Sequence, residues 1–316
     1  LLADGRFQSG TALGRHLGIT RAAVNKAVKA LSDAGVEIHR VSGKGYRLAL
    51  PVSPLVQEEI LAHLGSHAEH FRNRILVVDE LESTSDHLNR HMERDALHRA
   101  VCLAESQTRG RGRRGRGWFA TPYQNLMLSV GWQFERGPGA LTGLSLAAGV
   151  AVLRALEGMG VTKLGLKWPN DVMWDGRKLG GLLIDVQGEV AGPSRVVLGL
   201  GLNVRQGPRA ADAIDQPWAQ LDDITDEPVN RNRLAGQLLA GIFDALVQFE
   251  REGFDPFREA WQQAHIFHGR PVRILQHDCE RRGTVVGIDN TGALQIRGET
   301  DEIETFHSGE ISLRSA

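Results

Sequence analysis

The chain has 316 residues, 41% of them hydrophobic and 24% charged, which excludes a disordered, collagenous or coiled-coil protein. Its length predicts two or three folded units, and without a run of 18 apolar residues neither a membrane-spanning helix nor a membrane partner is expected. The formal net charge of −1 hides an asymmetry: residues 1–49 carry eight basic and three acidic residues (+5), the remainder 29 basic and 35 acidic (−6), so only the first unit is expected to meet a polyanion.

The amino-terminal segment reads as helix, turn, helix and hairpin. Thr11 to Leu17 is a short helix ended by Gly18, and Thr20 is placed to cap a second helix from Arg21 to Ser32. Val24, Ala27, Ala30 and Leu31 give that helix one apolar face, while Arg21, Asn25, Lys26 and Lys29 fall largely elsewhere. Strands at Val36 to His39 and Gly45 to Leu48 flank Ser42-Gly43-Lys44-Gly45 as a wing. Residues 1–50 are therefore expected to form a winged helix-turn-helix that offers Arg21, Asn25, Lys26 and, from the wing, Lys44 to DNA. The plainer alternative is a small helical domain with a solvated basic face. The opening Leu1-Leu2-Ala3-Asp4-Gly5-Arg6 lacks the pattern of a secretory leader, and without an initiator Met the chain is expected to miss its first residues. Two cysteines far apart, Cys102 and Cys279, argue against a disulfide scaffold or a cysteine zinc site and fit a reducing cytoplasm.

Pro51-Val52-Ser53-Pro54 opens a linker over 51–66 that includes a short helix, Gln57 to Leu64. The main body, 67–265, mixes strands (Arg74 to Val78, Val101 to Ala104, Leu164 to Lys167, Val172 to Trp174, Lys178 to Val186, Val196 to Val204) with helices at Leu144 to Leu156 and Arg233 to Phe249. Ser83-Thr84-Ser85 begins a further helical stretch. Asn125 to Phe134 alternates strictly, with Leu126, Leu128, Val130, Trp132 and Phe134 on one face, which predicts a half-buried strand of an antiparallel sheet. From residue 266 the texture is of short strands only, Val272 to Ile274, Thr284 to Ile288, Ala293 to Ile296 and Ile303 to Phe306. About 45 residues of this kind predict a small SH3-like barrel.

One segment stands apart. Residues 109–118 pack five arginines and four glycines into Arg109-Gly110-Arg111-Gly112-Arg113-Arg114-Gly115-Arg116-Gly117-Trp118. Arginine presents a fixed fork of donors to phosphate or carboxylate, and glycine lets backbone N–H groups approach an anion. Gly110-x-Gly112-x-x-Gly115 formally matches a dinucleotide fingerprint, but Gly117, Pro122 and the strand that follows leave no room for the helix it must open. A disordered Arg-Gly tail is disfavoured between two strands. A loop over a phosphate-bearing ligand is the third reading. A second cluster, Lys167-Trp168-Pro169-Asn170-Asp171, is followed by Gly176-Arg177-Lys178-Leu179-Gly180-Gly181, with Lys178 at a strand start where it can meet a carboxylate.

Together these segments resemble the bifunctional biotin–protein ligase and biotin operon repressor family of bacteria. Gly110 to Arg116 is similar to its biotinyl-adenylate loop. Lys167 to Asp171, Gly176 to Gly181 and Gly199-Leu200-Gly201-Leu202-Asn203-Val204 match its further signatures. The amino-terminal Arg21 to Lys26 and Gly43 to Tyr46, and Ser308-Gly309-Glu310-Ile311-Ser312-Leu313-Arg314 at the other end, resemble its flanking modules, so the likeness is collinear over nearly the whole chain.

The resemblance implies a multidomain α+β protein. Its mixed α/β core would be shared with lipoate ligases and distantly with class II tRNA synthetases, between a winged helix-turn-helix and an SH3-like barrel. It implies a biotin–[biotin carboxyl-carrier protein] ligase that uses ATP, biotin and Mg²⁺ to make biotinyl-5′-AMP. The acyl group would pass to a lysine of the biotin carboxyl carrier protein of acetyl-CoA carboxylase, and the adenylate would promote a homodimer that represses at operator DNA. By the same resemblance Ser83, Thr84 and Ser85 line the biotin pocket, Ser85 standing where members often carry Asn. Gln107, Gly110, Arg111, Gly112 and Arg113 cover biotin and phosphate, and Lys178, beside Gly181, meets the biotin carboxylate or the linking phosphoryl oxygens. Arg116, Trp118, Asn170, Asp171 and Asn203 serve the nucleotide, with Asp171 on the metal, and Trp218 is a lid over adenine. Lys178, Arg113 and Asp171 are the expected catalytic residues. A ligase without operator binding, a ligand-sensing regulator without catalysis and a lipoate ligase are the alternatives.

Overall fold

A computed structural model describes residues 1–91, 94–276, 279–298, 301–307 and 312–315. Of the carboxy-terminal signature, 308–311 lie outside the described residues. In the first unit, α1 (Gly10–Leu17) starts at Ser9, whose hydroxyl accepts the Ala12 N–H at 3.0 Å. Helix α2 (Arg21–Asp33) starts at Thr20, whose hydroxyl accepts the Ala23 N–H at 3.1 Å. Strands β1 (Ile38–Val41) and β2 (Gly45–Leu48) form the antiparallel wing. The small core is Leu13, Val24 and Tyr46, ringed by Leu2, Val28 and Ile38. The expected apolar face is corrected here: Ala27 and Ala30 are exposed and Val28 takes their place, because it lies one helical turn from Val24, at i+4.

The central unit begins with α3 (Gln57–Ala62), α4 (Ala68–Phe71), β3 (Ile75–Leu81), α5 (Thr84–His91), α6 (Arg94–Leu97) and β4 (Val101–Gln107). There follow β5 (Leu126–Phe134), α7 (Leu144–Gly158), β6 (Leu164–Lys167), β7 (Asp171–Trp174), β8 (Arg177–Gly188) and β9 (Ser194–Leu202). Helices α8 (Ala210–Ala213), α9 (Arg231–Glu252) and α10 (Asp255–Ala264) complete it. The seven strands form one mixed sheet of order β3-β4-β5-β9-β8-β7-β6, with only β3 and β4 parallel. On one face α7, α9 and α10 bury the large core, to which β5 gives Leu126, Leu128, Val130, Trp132 and Phe134. On the other, Leu88 of α5 and Leu97 of α6 pack with Cys102 and Val197. Strand β5 is thus buried on both faces, with only Gln133 half-exposed, and not on one as its alternation implied. Its second face carries Met127, Ser129 and Gly131, which meet protein rather than water. Pro138–Gly158 has the length and composition of a membrane span, with mean hydropathy 1.6, but it is largely buried in the core, where α7 packs on α9.

The last unit is a five-stranded antiparallel sheet, β10 (Pro271–Gln276), β11 (Cys279–Ile288), β12 (Leu294–Arg297), β13 (Ile303–Phe306) and β14 (Ser312–Ser315), ordered β13-β12-β11-β10-β14. Strand β14 is an addition to the expected four. Val272, Ile274, Val285, Leu294 and Leu313 join the core of the central unit. The Trp168 indole N–H donates to the Gly292 carbonyl at 3.1 Å.

The first two units are tied through residues 51–60. Leu55, Ile60 and Leu64 are buried in the main core. Glu105 of β4 and Arg231 at the start of α9, each 3% exposed at the side chain, pair at 2.6 Å. Arg231 also donates to the carbonyls of Ser53 (2.7 Å) and Asn125 (3.0 Å), and Glu105 accepts the Leu55 N–H at 2.6 Å. Removing one partner of such a pair strands a buried charge. Glu105→Gln is expected to lower stability by about 3 kcal/mol in denaturant unfolding; a loss below about 0.5 kcal/mol would contradict the tie.

Candidate active site

On the sheet face away from α7 lies a cavity of about 970 Å³, at the top of the range of about 300–1,000 Å³ usual for small-molecule sites. Its floor is made by alternation in β9. Leu198, Leu200 and Leu202 point into the core, so Gly199 and Gly201 face the cavity with no side chain. A Cβ at Gly199 would stand 2.6 Å from the Ser85 hydroxyl, and one at Gly201 would overlap the Trp118 indole.

Above Gly199 sit hydroxyls. Ser83 caps α5, accepting the Asp86 N–H at 3.3 Å. The Thr84 and Ser129 hydroxyls are 2.7 Å apart and those of Ser85 and Ser129 2.9 Å. The Gln107 carbonyl oxygen accepts the Thr84 N–H at 2.7 Å and its hydroxyl at 3.1 Å. Ser129 pairs with Gly199 across β5 and β9 and is fully buried. Sequence reasoning passed over it; the signal was a lone hydroxyl on the second face of an otherwise apolar strand.

Two residues along β9, about 7 Å away, Gly201 pairs with Gly181, and here the charges gather. The Lys178 ammonium lies 2.7 Å from the Asp171 carboxylate and 5.6 Å from the centre of the Trp118 ring. Strand alternation alone would set Lys178 and Gly181, three residues apart, on opposite faces. The register of β7 on β8 shifts between Val172 and Met173, and this bulge turns Lys178 to the side of Gly181 and Asp171. Burial and the nearby Arg114 push the Arg113 guanidinium below its ordinary pKa, with Asp171 opposing. The Trp118 indole N–H is buried without a partner. The Asn170 amide donates to the Leu182 carbonyl. The Asn203 amide donates to the Ala219 carbonyl at 3.1 Å, and its oxygen accepts from Gln206 at 3.0 Å. These last two side chains thus fasten the rim as well as bordering the cavity.

The arginine loop is a small hairpin. Arg111 bridges Gly117, the Gly112 N–H donates to the Arg116 carbonyl at 2.7 Å, and the Trp118 N–H to the Gly110 carbonyl at 2.8 Å. Two of its N–H groups are therefore spent on the hairpin rather than left for an anion. Opposite, the chain from 205 to 218 returns to β8, where the Lys178 N–H donates to the Pro217 carbonyl at 3.0 Å and Trp218 borders the cavity. Arg209 of this segment donates to the Asp33 carbonyl at the end of α2, and Ala34 borders the cavity too.

Every residue that the sequence assigned to ligand or metal borders this one cavity: Ser83, Thr84, Ser85, Gln107, Gly110, Arg111, Gly112, Arg113, Arg116, Trp118, Asn170, Asp171, Lys178, Gly181, Asn203 and Trp218. Arg21, Asn25, Lys26 and Lys44 are exposed on the first unit, where the Asn25 carbonyl oxygen also accepts from the Tyr46 hydroxyl at 3.3 Å. Among the described residues no group of three or more His, Cys, Asp or Glu could hold a metal alone. The two faces of β9 predict different costs. Gly201→Ala should displace Trp118, narrow the cavity and cost about 1 kcal/mol, and Leu200→Ala should cost about 3 kcal/mol and leave the cavity open. Equal losses in denaturant titration would count against a strand divided in this way.

Comparison with known proteins places this architecture. Residues 77–203 match the family model of the biotin/lipoate A/B protein ligases, 267–314 that of the biotin protein ligase C-terminal domain, and 1–47 an HTH domain. The bifunctional ligase/repressor BirA of Salmonella typhimurium is 39% identical over all of this chain and 96% of its own length. The biotin–[acetyl-CoA-carboxylase] ligase of Mycobacterium tuberculosis is 38% identical over 78% of this chain and 92% of its own. The structure of biotin protein ligase from Aquifex aeolicus in complex with biotin and ATP superposes with a TM-score of 0.65 at 27% identity, covering 77% of this chain and 99% of that one. The chain belongs to the family of bifunctional biotin ligase/repressors.

Proposed function

We propose that the chain activates biotin with ATP to biotinyl-5′-AMP, transfers the acyl group to a lysine of biotin carboxyl carrier protein, and with adenylate bound represses biotin biosynthesis genes. The observation that carries this is the polarity of this cavity, hydroxyls over Gly199 and the Lys178–Asp171 pair over Gly201. The hydroxyl cluster suits the ureido head of biotin, which offers both donors and an acceptor. The valerate carboxylate then reaches Lys178. One carboxylate oxygen attacks the α-phosphorus of ATP, and pyrophosphate leaves. Lys178 and Arg113 lie where charge builds on the transferring group, and alignment with charge stabilisation does the work in such a step. The neutral amine of the carrier lysine next attacks the acyl carbon; AMP leaves, and the extra proton passes to solvent. No protein nucleophile is required. The unpartnered Trp118 N–H and the Trp218 face suit the nucleotide.

Mg²⁺ neutralises phosphate charge when bound. Asp171 offers one carboxylate beside Lys178, and this ion commonly takes one or two carboxylates and completes its shell with phosphates and water. The division of labour we propose is DNA binding by 1–50, a linker over 51–66, ligation by 67–265 and support by 266–316. The five-stranded unit is taken as an SH3-like barrel and the core as a distant relative of class II tRNA synthetases. The protein is proposed to act in the cytoplasm, away from any membrane. It acts there as an adenylate-promoted homodimer, and the two basic units together read a two-fold operator through Arg21, Asn25, Lys26 and Lys44.

Lys178→Ala should slow pyrophosphate release roughly a hundredfold or more; near-normal synthesis would remove Lys178 from this role. Mass spectrometry of the acetyl-CoA carboxylase carrier domain incubated with protein, ATP, Mg²⁺ and biotin, then with lipoate, should show modification in the first case only. For the repressor half, gel shift and sedimentation should show biotinyl-5′-AMP strengthening both self-association and binding to biotin-gene promoter DNA, with binding weakening steeply in salt. No response to the adenylate in either measurement overturns that half and leaves the ligase half standing.

A further inference from the structure

Within the arginine loop, the charge of Arg111 is engaged by protein on two sides. Its guanidinium lies 3.0 Å from Asp86 and 2.5 Å from Asp185. The two acids come from different elements, Asp86 from the first turn of α5 and Asp185 from the middle of β8. Each is itself braced. Asn89, one turn on from Asp86 and on the same face of α5, donates to Asp185 at 2.9 Å, and Arg90, at i+4, stands 3.7 Å from Asp86. The three partners are 35%, 20% and 25% exposed at the side chain, whereas the neighbouring Arg109–Glu82 pair, at 3.7 Å, is 77% and 48% exposed. Exposed pairs of the second kind are screened and contribute little, so the Arg111 pairs hold the loop more firmly than that one does. The hairpin transmits that hold, because Arg111 bridges Gly117 and the Trp118 N–H closes on Gly110.

We propose that Asp86 and Asp185 are positioning residues that fasten the arginine loop over the cavity through Arg111. The proposal deepens the ligase reading and rests on it for its consequence. An acyl-adenylate is open to water and stray amines once it escapes, and a loop anchored from outside keeps its cover without drawing on contacts to the ligand. In this arrangement Arg113 faces the charged end of the cavity, and Arg111 secures the hairpin that carries it.

The loop's run of arginines makes trypsin a direct probe in the ligand-free full chain, with fragments cut between 109 and 116 read by mass spectrometry. Cleavage of a transiently opened segment follows its open population. Asp185→Asn should raise nicking about tenfold and Asp86→Asn/Asp185→Asn further, at an unchanged thermal midpoint; Asp185→Glu should return to within about threefold of the parent. Arg111→Gln should nick, at the remaining arginines, as fast as the Asp86→Asn/Asp185→Asn pair, and adding Asp185→Asn to it should add nothing, because the anchor is already broken. Parent-like nicking by Asp185→Asn, or its full effect persisting in the Arg111→Gln background, would overturn the proposal. In the second arm, Asp185→Asn should release biotinyl-5′-AMP about tenfold faster with single-turnover synthesis within about twofold of the parent. Unchanged release alongside faster nicking would overturn the retention role. A parent protein that makes no adenylate overturns the ligase reading instead, and the nicking arm still decides the anchor.

Discussion

A carboxylate and a guanidinium sealed from water hold this molecule's parts in relation. Glu105 and Arg231 meet where β4, α9 and the chain arriving from the DNA-binding unit converge, and between them they satisfy Ser53, Leu55 and Asn125 of the backbone. Neither charge could stay buried alone. The pair therefore specifies one path for residues 51–56, and with it the place where the first unit leaves the core. From that path the segment 205–209 reaches both sides. Arg205 donates to the Pro51 carbonyl at 2.8 Å, and Arg209 donates to the Asp33 carbonyl. A Cβ at Gly207 would overlap the Gly35 carbonyl, so two backbones lie in direct contact at the boundary.

The rest is division of one sheet into two faces. Large aliphatic and aromatic residues on one side join α7, α9 and the last unit in a single core, which is why the carboxy-terminal strands share their hydrophobic cluster with the ligase core. The other side keeps small and hydroxylated residues, and the space this leaves is the cavity. A bulge in the β7–β8 ladder then brings Lys178 to that side. The site owes its charge to an irregularity and its room to alternation.

Periodicity and caps made much of this legible in the sequence. The helix begun at Ser83 to Ser85 and the helix begun by Thr20 follow from local chemistry, which needs no partner to act. The residues bordering the cavity were legible because four motifs occur in order. What stayed hidden depends on contacts distant in sequence. Glu105 and Arg231 look like any two charges until the fold brings together two positions 126 apart in the chain. Ser129 looks like a solvent-facing hydroxyl because alternation tells which residues share a face, not what that face meets. Arg111 reads as a ligand group like its neighbours, and only the approach of α5 to β8 shows two acids waiting for it. Strand β14 is four residues long and finds its place only against β10.

The floor of the cavity is a single strand thick. Beneath Gly199 and Gly201 the next side chains along β9, Leu198, Leu200 and Leu202, are already the interior. Mispairing of β9 by one position would exchange the two sets, filling the ligand's space with leucine and leaving voids under the helices. Assembly of this strand thus carries no tolerance for near misses: a chain that folds almost correctly there is both unstable and blind to its ligand. Nine paired residues on each side, against β5 and β8, are what enforce the alignment. Error-checking of the binding site is in this way delegated to the hydrophobic interior, which rejects the wrong alignment before any ligand arrives.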